Sequence, residues 1–585
     1  MSFSFAIIGG GLTGTSMFYQ FVDRVREKSE RNLLDAASVT IHIFDKQDVF
    51  GPGFPHCDRY VMPYHITNMC ACDMSIVDGN QTDFQNWVST NLRVLQEYDD
   101  QPNLSISRPD VYRENCRHYP RAVVGEYLKA RFTEAVNLAR DIQIEVKLHA
   151  AVEVTDLKQK ADKIHIVARH RQSGDVIAAV ADRVLLATGH WFEETDQEHY
   201  FTSPWPARNL LYSIPAGESV GVIGSSLSAI ETVFTLTSDG KFRRDASGEM
   251  RYIRGAHPRK ITLYSRSGML PKVRGRSGAY RNRYLIPENL ERCRRENNGH
   301  LALEQIFDLL NLDLEAAYGK PFDWEKIINP VGSHADLLKQ HLIEAYDGDG
   351  PDGELIWQTV LYQTFPMARD IYLSLSLSDK KRFDRKYTTL FFIHAATQPA
   401  INAEKILALL NAGVVSVHRL GNDYRFFKDE PENCFVFSYR DNAGRKKKSY
   451  HRYVVNARGQ EKSFTTNPSE LADNLLSSST VQIEEYQTAG LGVGSGANPI
   501  PGVKLDTSSY RTGSIWIDPA SHLIMIRNKD GSIVRSHAIY AVGAMTRGQI
   551  LDASMAYGIA RSTAKIAGDL VDSLTSKATI PPRLT

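Results

Sequence analysis

The sequence predicts an α/β protein built on doubly wound parallel sheets, and three observations predict it. Three short apolar runs close on glycine: Ala6-Ile7-Ile8 into Gly9-Gly10-Gly11, Arg183-Val184-Leu185-Leu186 into Ala187-Thr188-Gly189, and Val220-Gly221-Val222-Ile223 into Gly224-Ser225-Ser226. Such runs read as strands buried on both faces. The first and third open onto apolar residues spaced by three and four, predicting helices from Leu12 to about Asn32 and from Ser228 to about Ser238. From Pro287 to about Leu410 strand patterns give way to helical ones, as in 301–310, 337–345 and 401–410. This predicts a helical insertion.

A chain of 585 residues has room for about three domains or two large ones. The expected division is an N-terminal α/β part over 1–205, a second α/β part over 206–286, the insertion over 287–410, and a return to both over 411–585. The Ser/Gly-rich stretch 465–513, which holds GLGVGSGANPIPG, is expected to cross the surface. Asp441-Asn442-Ala443-Gly444 followed by Arg445-Lys446-Lys447-Lys448 predicts a hairpin with a solvated basic tip.

Lys+Arg 69 against Asp+Glu 68 leaves a net charge of +1. Nucleic acid is therefore not an expected partner, because phosphate binding draws on a basic surplus. No apolar run reaches the ~18 residues of a membrane span, and MSFSFAIIGGGLTG lacks the basic n-region of a secretory signal. The six cysteines are sparse and form no C-x-x-C or C-x4-C pair, so a disulfide relay is excluded and a cytoplasmic location with reduced thiols is expected. Cys70-Ala-Cys72 is too tightly spaced for a zinc pattern, and no metal is expected. Neither a Ser-His-Asp order nor H-E-x-x-H is found, which disfavours hydrolase readings.

Gly9-Gly10-Gly11-Leu12-Thr13-Gly14 satisfies G-x-G-x-x-G between a strand and a helix. Gly9 permits the tight turn, Gly11 omits the Cβ that would block a pyrophosphate, and Gly14 lets the helix pack on the strand. The helix N-terminus then offers N–H groups to the phosphates. A second strand over 39–44 ends in Asp45-Lys46, and a carboxylate there can accept from both ribose hydroxyls. The interval from Gly14 to Asp45 exceeds the usual ~20 residues, which a lengthened first helix accommodates.

Gly224-Ser225-Ser226-Leu227-Ser228-Ala229 occupies the equivalent place downstream, with Ser226 and Ala229 replacing the second and third glycines. Ser226 adds a Cβ where a pyrophosphate would pass, and its hydroxyl can compensate. A strand over 261–264 ends in Ser265-Arg266, and an Arg at this place suits the 2′-phosphate of NADP. Asp45 and Arg266 thus argue for two different dinucleotides, FAD at the first turn and NADPH at the second.

Together these residues resemble the bacterial FAD/NAD(P)-binding protein family and, more distantly, the flavin-dependent N-hydroxylating monooxygenases. The resemblance is carried by Gly51-Pro52-Gly53, Thr67-Asn68-Met69, Phe84 with Trp87, Tyr119-Pro120-Arg121 with Gly125-Glu126-Tyr127-Leu128, and Ala187-Thr188-Gly189-His190. Ser203-Pro204-Trp205, Ser265-Arg266-Ser267-Gly268 with Leu270-Pro271, Asn456-Ala457-Arg458-Gly459 and Tyr540-Ala541-Val542-Gly543 complete it. It implies a Rossmann-like FAD-binding domain with an inserted NADP-binding Rossmann-like domain. It also implies that Gly53, Asn68, Met69, Arg121, Thr188 and Gly189 lie against the flavin. Gly543 and a helix starting around Gln549 would make the closing contact, where a helix N-terminus suits the negative charge of reduced flavin.

Arg121 and His190 are the residues expected at the reacting centre. Arg121 is expected as a cation against the flavin or as a salt-bridged helix start, and His190 as a polar neighbour rather than a general base. Trp87 and Trp205 are expected in the core or cleft wall. The implied activity is an NADPH-reduced monooxygenase using O2 on a small amine or amino-acid-like metabolite. Two alternatives stand beside it: an FAD-linked oxidase or dehydrogenase with a degenerate second site, and a non-catalytic flavin-binding sensor whose helical insertion meets a partner.

Overall fold

The strand Phe3–Ile8 lies inside a six-stranded sheet ordered Leu523–Arg527, Ile533–Ala541, Arg183–Leu186, Phe3–Ile8, Val39–Asp45, Glu145–Ala150. This is seen in a computed structural model, which describes residues 2–99, 118–192, 195, 197–441, 443–460, 463–486 and 510–578. The outermost pair, Leu523–Arg527 with Ile533–Ala541, is antiparallel and the other pairings are parallel. Ile8 stands opposite both Phe44 and Leu186, so the carboxyl ends of three strands are level. Ligands of doubly wound sheets bind at that edge.

Alternation along the first strand explains why it is apolar throughout. Phe5 and Ile7 pack under the helices Leu12–Glu30, Arg121–Asp141 and Ala556–Ala578, with Phe18, Phe21, Phe132 and Leu570. Ala6 and Ile8 face the other way, into a core shared with the three-stranded meander formed by Val152–Lys160, Lys163–His170 and Val176–Ala181. A strand covered on both sides has no polar face to show.

The second sheet is parallel throughout, ordered Val415–Arg419, Lys260–Ser265, Ser219–Ile223, Tyr453–Asn456, Tyr200–Phe201. Helices Leu227–Leu236 and Ala400–Asn411 cover one face through Ile230, Val233, Ile406 and Leu409. Aromatic residues of the antiparallel strands Arg425–Asp429 and Cys434–Arg440, among them Phe435 and Phe437, cover the other. Two expected boundaries therefore move. Tyr200–Phe201 pairs with Val454–Val455 of the second sheet, and the helix Ala400–Asn411 is the crossover into Val415–Arg419.

Among the described residues, helices fill most of the stretch from Pro287 to Ala395, including Pro287–Glu296, Leu303–Tyr318, His334–Asp347 and Phe365–Ser374. Asp313 anchors their entry loop, its carboxylate accepting from the backbone N–H groups of Arg283 and Leu285, each at 2.7 Å. Residues 487–509 of the expected surface excursion, with all of its glycine-rich motif, lie outside the described residues, as do Asn442 and Cys116. The flanks are not surface chain. Phe464, Leu471, Leu475 and Ile515 are buried in the same core as Ile8 and Leu186, and Ile483–Tyr486 pairs with Tyr510–Ile515. Surrounding Ser and Asn residues dilute the apolar spacing that would have marked them.

The basic hairpin forms from Cys434–Arg440 and Lys446–His451, with Lys446, Lys447 and Lys448 exposed. No described helix is long and apolar enough to cross a membrane.

Candidate functional site

Steric fit shapes the first glycine turn. A Cβ on Gly9, whose φ is +111°, would lie 2.2 Å from the Ala187 oxygen, and one on Gly14 would lie 1.9 Å from the Gly9 oxygen. Gly11 has a neighbour that the sequence did not announce: its Cβ would stand 3.1 Å from the Gly53 Cα. Gly51 N–H donates to the Gly10 oxygen at 2.8 Å, so the second loop rides directly on the first.

Asp45 is buried at this junction. Its Oδ2 accepts from Gly10 N–H and its Oδ1 from Gln47 N–H, each at 2.7 Å. Burial pushes its carboxyl up, and the two N–H donors pull it back. Each oxygen retains a further lone pair, so a ribose hydroxyl can still be accepted. Lys46 is exposed. On the opposite side, a Cβ on Gly543 would stand 3.2 Å from Thr13 Oγ1, so the turn that follows Ile533–Ala541 closes over the first turn of the glycine-loop helix.

The floor is the segment 65–69. Ile66 bridges Pro120, Thr67 N–H donates to the Tyr119 oxygen at 2.9 Å, and Arg121 N–H donates to the His65 oxygen at 2.8 Å. These bonds hold Asn68 and Met69 half-buried beside the start of Arg121–Asp141. Trp87 packs in a core with Phe84, Tyr119 and Tyr127, and Trp205 forms an aromatic wall with Phe54 and Phe192.

Arg121 is engaged. Its Nε donates to Glu231 Oε1 at 2.5 Å, and Glu231 lies on the helix Leu227–Leu236 that leaves the second glycine turn. Burial raises the Glu231 carboxyl and Arg121 draws it back down. Its other oxygen, Oε2, is buried without a hydrogen-bond partner. A second tie runs between the same regions, His65 Nε2 to Thr235 Oγ1 at 3.0 Å.

Thr188, Gly189 and His190 are half-buried at the end of Arg183–Leu186. Burial, with Arg547 and Arg121 nearby, holds the His190 imidazole down at about 4. Burial and Arg121 hold His56 at about 3, and its Nδ1 is buried without a partner. Both rings are neutral at neutral pH. His56, Glu231 and Arg547 were missed by the sequence reading. Only Arg547 carried a signal, as the residue just beyond the closing turn at Gly543.

At the second turn Gly224 has φ +127°, and a Cβ there would lie 2.8 Å from the Ala457 oxygen. Two expected cofactor contacts are otherwise occupied. Ser225 Oγ donates to the Met269 oxygen at 2.6 Å and pairs with Ser265 Oγ at 2.8 Å, while Ser265 Oγ accepts from Gly268 N–H at 3.0 Å. These hydroxyls close the 265–269 loop. Ser226 caps the helix position without bonding to it and is exposed, Ser228 is half-buried, and Arg266 is exposed at the strand end.

Gln549 is a correction. The long helix opens at Ala556, not near 549. The Gln549 amide is used on both sides by Ile517, accepting from its N–H at 3.0 Å and donating to its oxygen at 2.7 Å. A short turn, Ala544–Thr546, stands where the helix start was expected.

The arrangement fits a flavin dinucleotide. Its glycine cradle leaves no room for side chains, and two orphaned buried atoms, Glu231 Oε2 and His56 Nδ1, can serve a planar hydrogen-bonding ring. Among the described residues, no group of three His, Cys, Asp or Glu could hold a metal ion.

Residues 6–191 match the family described as FAD-NAD(P)-binding, in agreement with the expected dinucleotide cofactors. The uncharacterised protein YdhS of Escherichia coli strain K12 is 24% identical over 497 residues, covering 78% of this chain and 83% of its own. Among solved structures, the ornithine hydroxylase PvdA from Pseudomonas aeruginosa is 11% identical, with a TM-score of 0.49 over 98% of this chain and 100% of that one. The FAD-bound cadaverine monooxygenase DfoA from Erwinia amylovora is 11% identical, with a TM-score of 0.46 over 98% and 96%.

Proposed function

We propose that this chain is an NADPH-reduced flavoprotein monooxygenase that oxygenates a small amine or amino-acid-like metabolite with O2. The carrying observation is the Arg121–Glu231 pair, which joins the floor of the first glycine turn to the helix of the second. Two dinucleotide sites held together this way suit transfer between two cofactors. The amine substrate class rests on the motif resemblance.

In this reading FAD lies on Gly9–Gly14, with the spare lone pairs of Asp45 toward its ribose. NADPH lies on the second turn, with Arg266 for its 2′-phosphate and the Ser226 hydroxyl toward its phosphates. A bound flavin supplies hydride acceptance and oxygen activation. The chain's own residues position and shield. Glu231 fixes the Arg121 guanidinium, neutral His56 and His190 each offer one N–H donor and one acceptor without adding charge, and Phe54, Phe192 and Trp205 exclude water from one side.

The test is spectroscopic. The purified protein should be yellow, bleach under nitrogen faster with NADPH than with NADH, and on admission of air consume O2 with formation of an oxygenated amine. Bleaching by a metabolite but by neither nucleotide would replace this reading with the oxidase one.

A further inference from the structure

The closing turn of the first sheet carries a cation that no described residue counters. Arg547 directly follows the Ala544–Thr546 turn, which begins beside Gly543 and Thr13. The residue is half-buried, its guanidinium lies 5.8 Å over the Phe392 ring, and it forms no ion pair with a described residue. Burial is the single influence on its titration, and it lowers it. His190, which feels both Arg547 and Arg121, is neutral, and the Arg121 charge is matched by Glu231. Keeping a bare cation away from water is costly. A half-buried cation with no carboxylate partner among the described residues is a candidate for a counter-charge supplied by a ligand.

Its location narrows the ligand. Gly9, Thr188 and Gly543 follow the carboxyl ends of three strands at one sheet edge, where the dinucleotide of a doubly wound sheet lies. The helix N-terminus expected near Gln549 is absent from that edge, since the helix opens at Ala556. Hydride from NADPH brings two electrons and one proton, so a neutral oxidised ring becomes an anion and the nicotinamide departs as a cation. We infer that Arg547 is the positioned counter-charge for the reduced flavin, in place of a helix dipole. This rests on the reading of the first turn as an FAD site.

The test uses the FAD-loaded protein, with Arg547→Gln and Arg547→Lys. Sulfite is the probe, because its addition to a flavin leaves the ring negatively charged as reduction does. Arg547→Gln should retain FAD, bind sulfite at least tenfold more weakly, and have a lower midpoint potential, about 30 mV for each tenfold change in a two-electron couple. Arg547→Lys should recover most of both. Should the Gln variant lose its flavin, Arg547→Met, of similar length, carries the measurement. A loaded neutral variant with unchanged sulfite affinity and potential overturns the inference while leaving the FAD reading intact. A wild-type protein that takes up no FAD overturns the FAD reading itself.

Discussion

The backbone N–H of Gly10 donates to Asp45 Oδ2 at 2.7 Å. The carboxylate that a ribose would meet is thus also the clasp that fastens the glycine turn to the end of the second strand. The two duties separate in Asp45→Ala. Removing the acceptor leaves a buried N–H unpaired, and a hydrogen bond to a charged group contributes about 1.5–3 kcal/mol. The apo-protein itself should therefore unfold more easily by about that amount, and FAD retention should fall. Denaturant titration of apo-protein checks the first effect. An apo-protein of unchanged stability would show that Asp45 serves the ligand alone.

Arg121→Ala should be more damaging than Glu231→Gln. The first strands a buried carboxylate, a change of about 3–5 kcal/mol when one partner of a buried pair is removed. The second removes the charge and leaves a hydrogen-bonding amide against Arg121. Combining Arg121→Ala with Glu231→Gln should recover part of the loss. A double-mutant cycle by chemical denaturation reads this directly, and strictly additive effects would mean that the pair seen at 2.5 Å is not coupled.

Local signals explain which parts were legible in the sequence. The strands Phe3–Ile8, Arg183–Leu186 and Ser219–Ile223 and the helix Leu12–Glu30 follow from apolar runs, glycines and spacing, all within a few residues of one another. Glu231 was invisible as the partner of Arg121 because the two are 110 positions apart and meet only through packing of two domains. The two-residue strand Tyr200–Phe201 is too short for any period. At the closing turn, Thr546-Arg547-Gly548-Gln549 looks like a helix start. The tertiary demand of Ile517 for the Gln549 amide, and of Arg369 for Asp552 at 2.7 Å, holds an irregular turn there instead.

Acid should destabilise the fold before most carboxylates titrate. His190 has a folded pKa lowered to about 4, against about 6.5 for an unperturbed imidazole. Between these values the unfolded chain binds a proton that the folded chain refuses. Stability from this group is therefore complete above about pH 6.5 and is lost as pH falls toward 4. The slope is at most about 1.4 kcal/mol per pH unit for one imidazole. His190→Gln should flatten the stability profile across that window, and denaturation curves at several pH values between 4 and 7 measure it. An unchanged slope would mean that the ring charges freely in the folded protein.

The second turn makes its own demand. Ser225 and Ser265 spend their hydroxyls on the 265–269 loop, which leaves Arg266 and Ser226 among the exposed groups able to greet a phosphate. Arg266→Ala should weaken NADPH at least tenfold while barely altering NADH, because only NADPH presents a 2′-phosphate for a charge-assisted bond. Ser226→Gly should act in the opposite sense and on both nucleotides alike, since deleting a Cβ and hydroxyl at the pyrophosphate position restores the usual close approach. Flavin bleaching at graded nucleotide concentrations gives both constants. Equal losses for the two nucleotides in Arg266→Ala would place the adenosine end elsewhere and remove the physical ground for preferring NADPH.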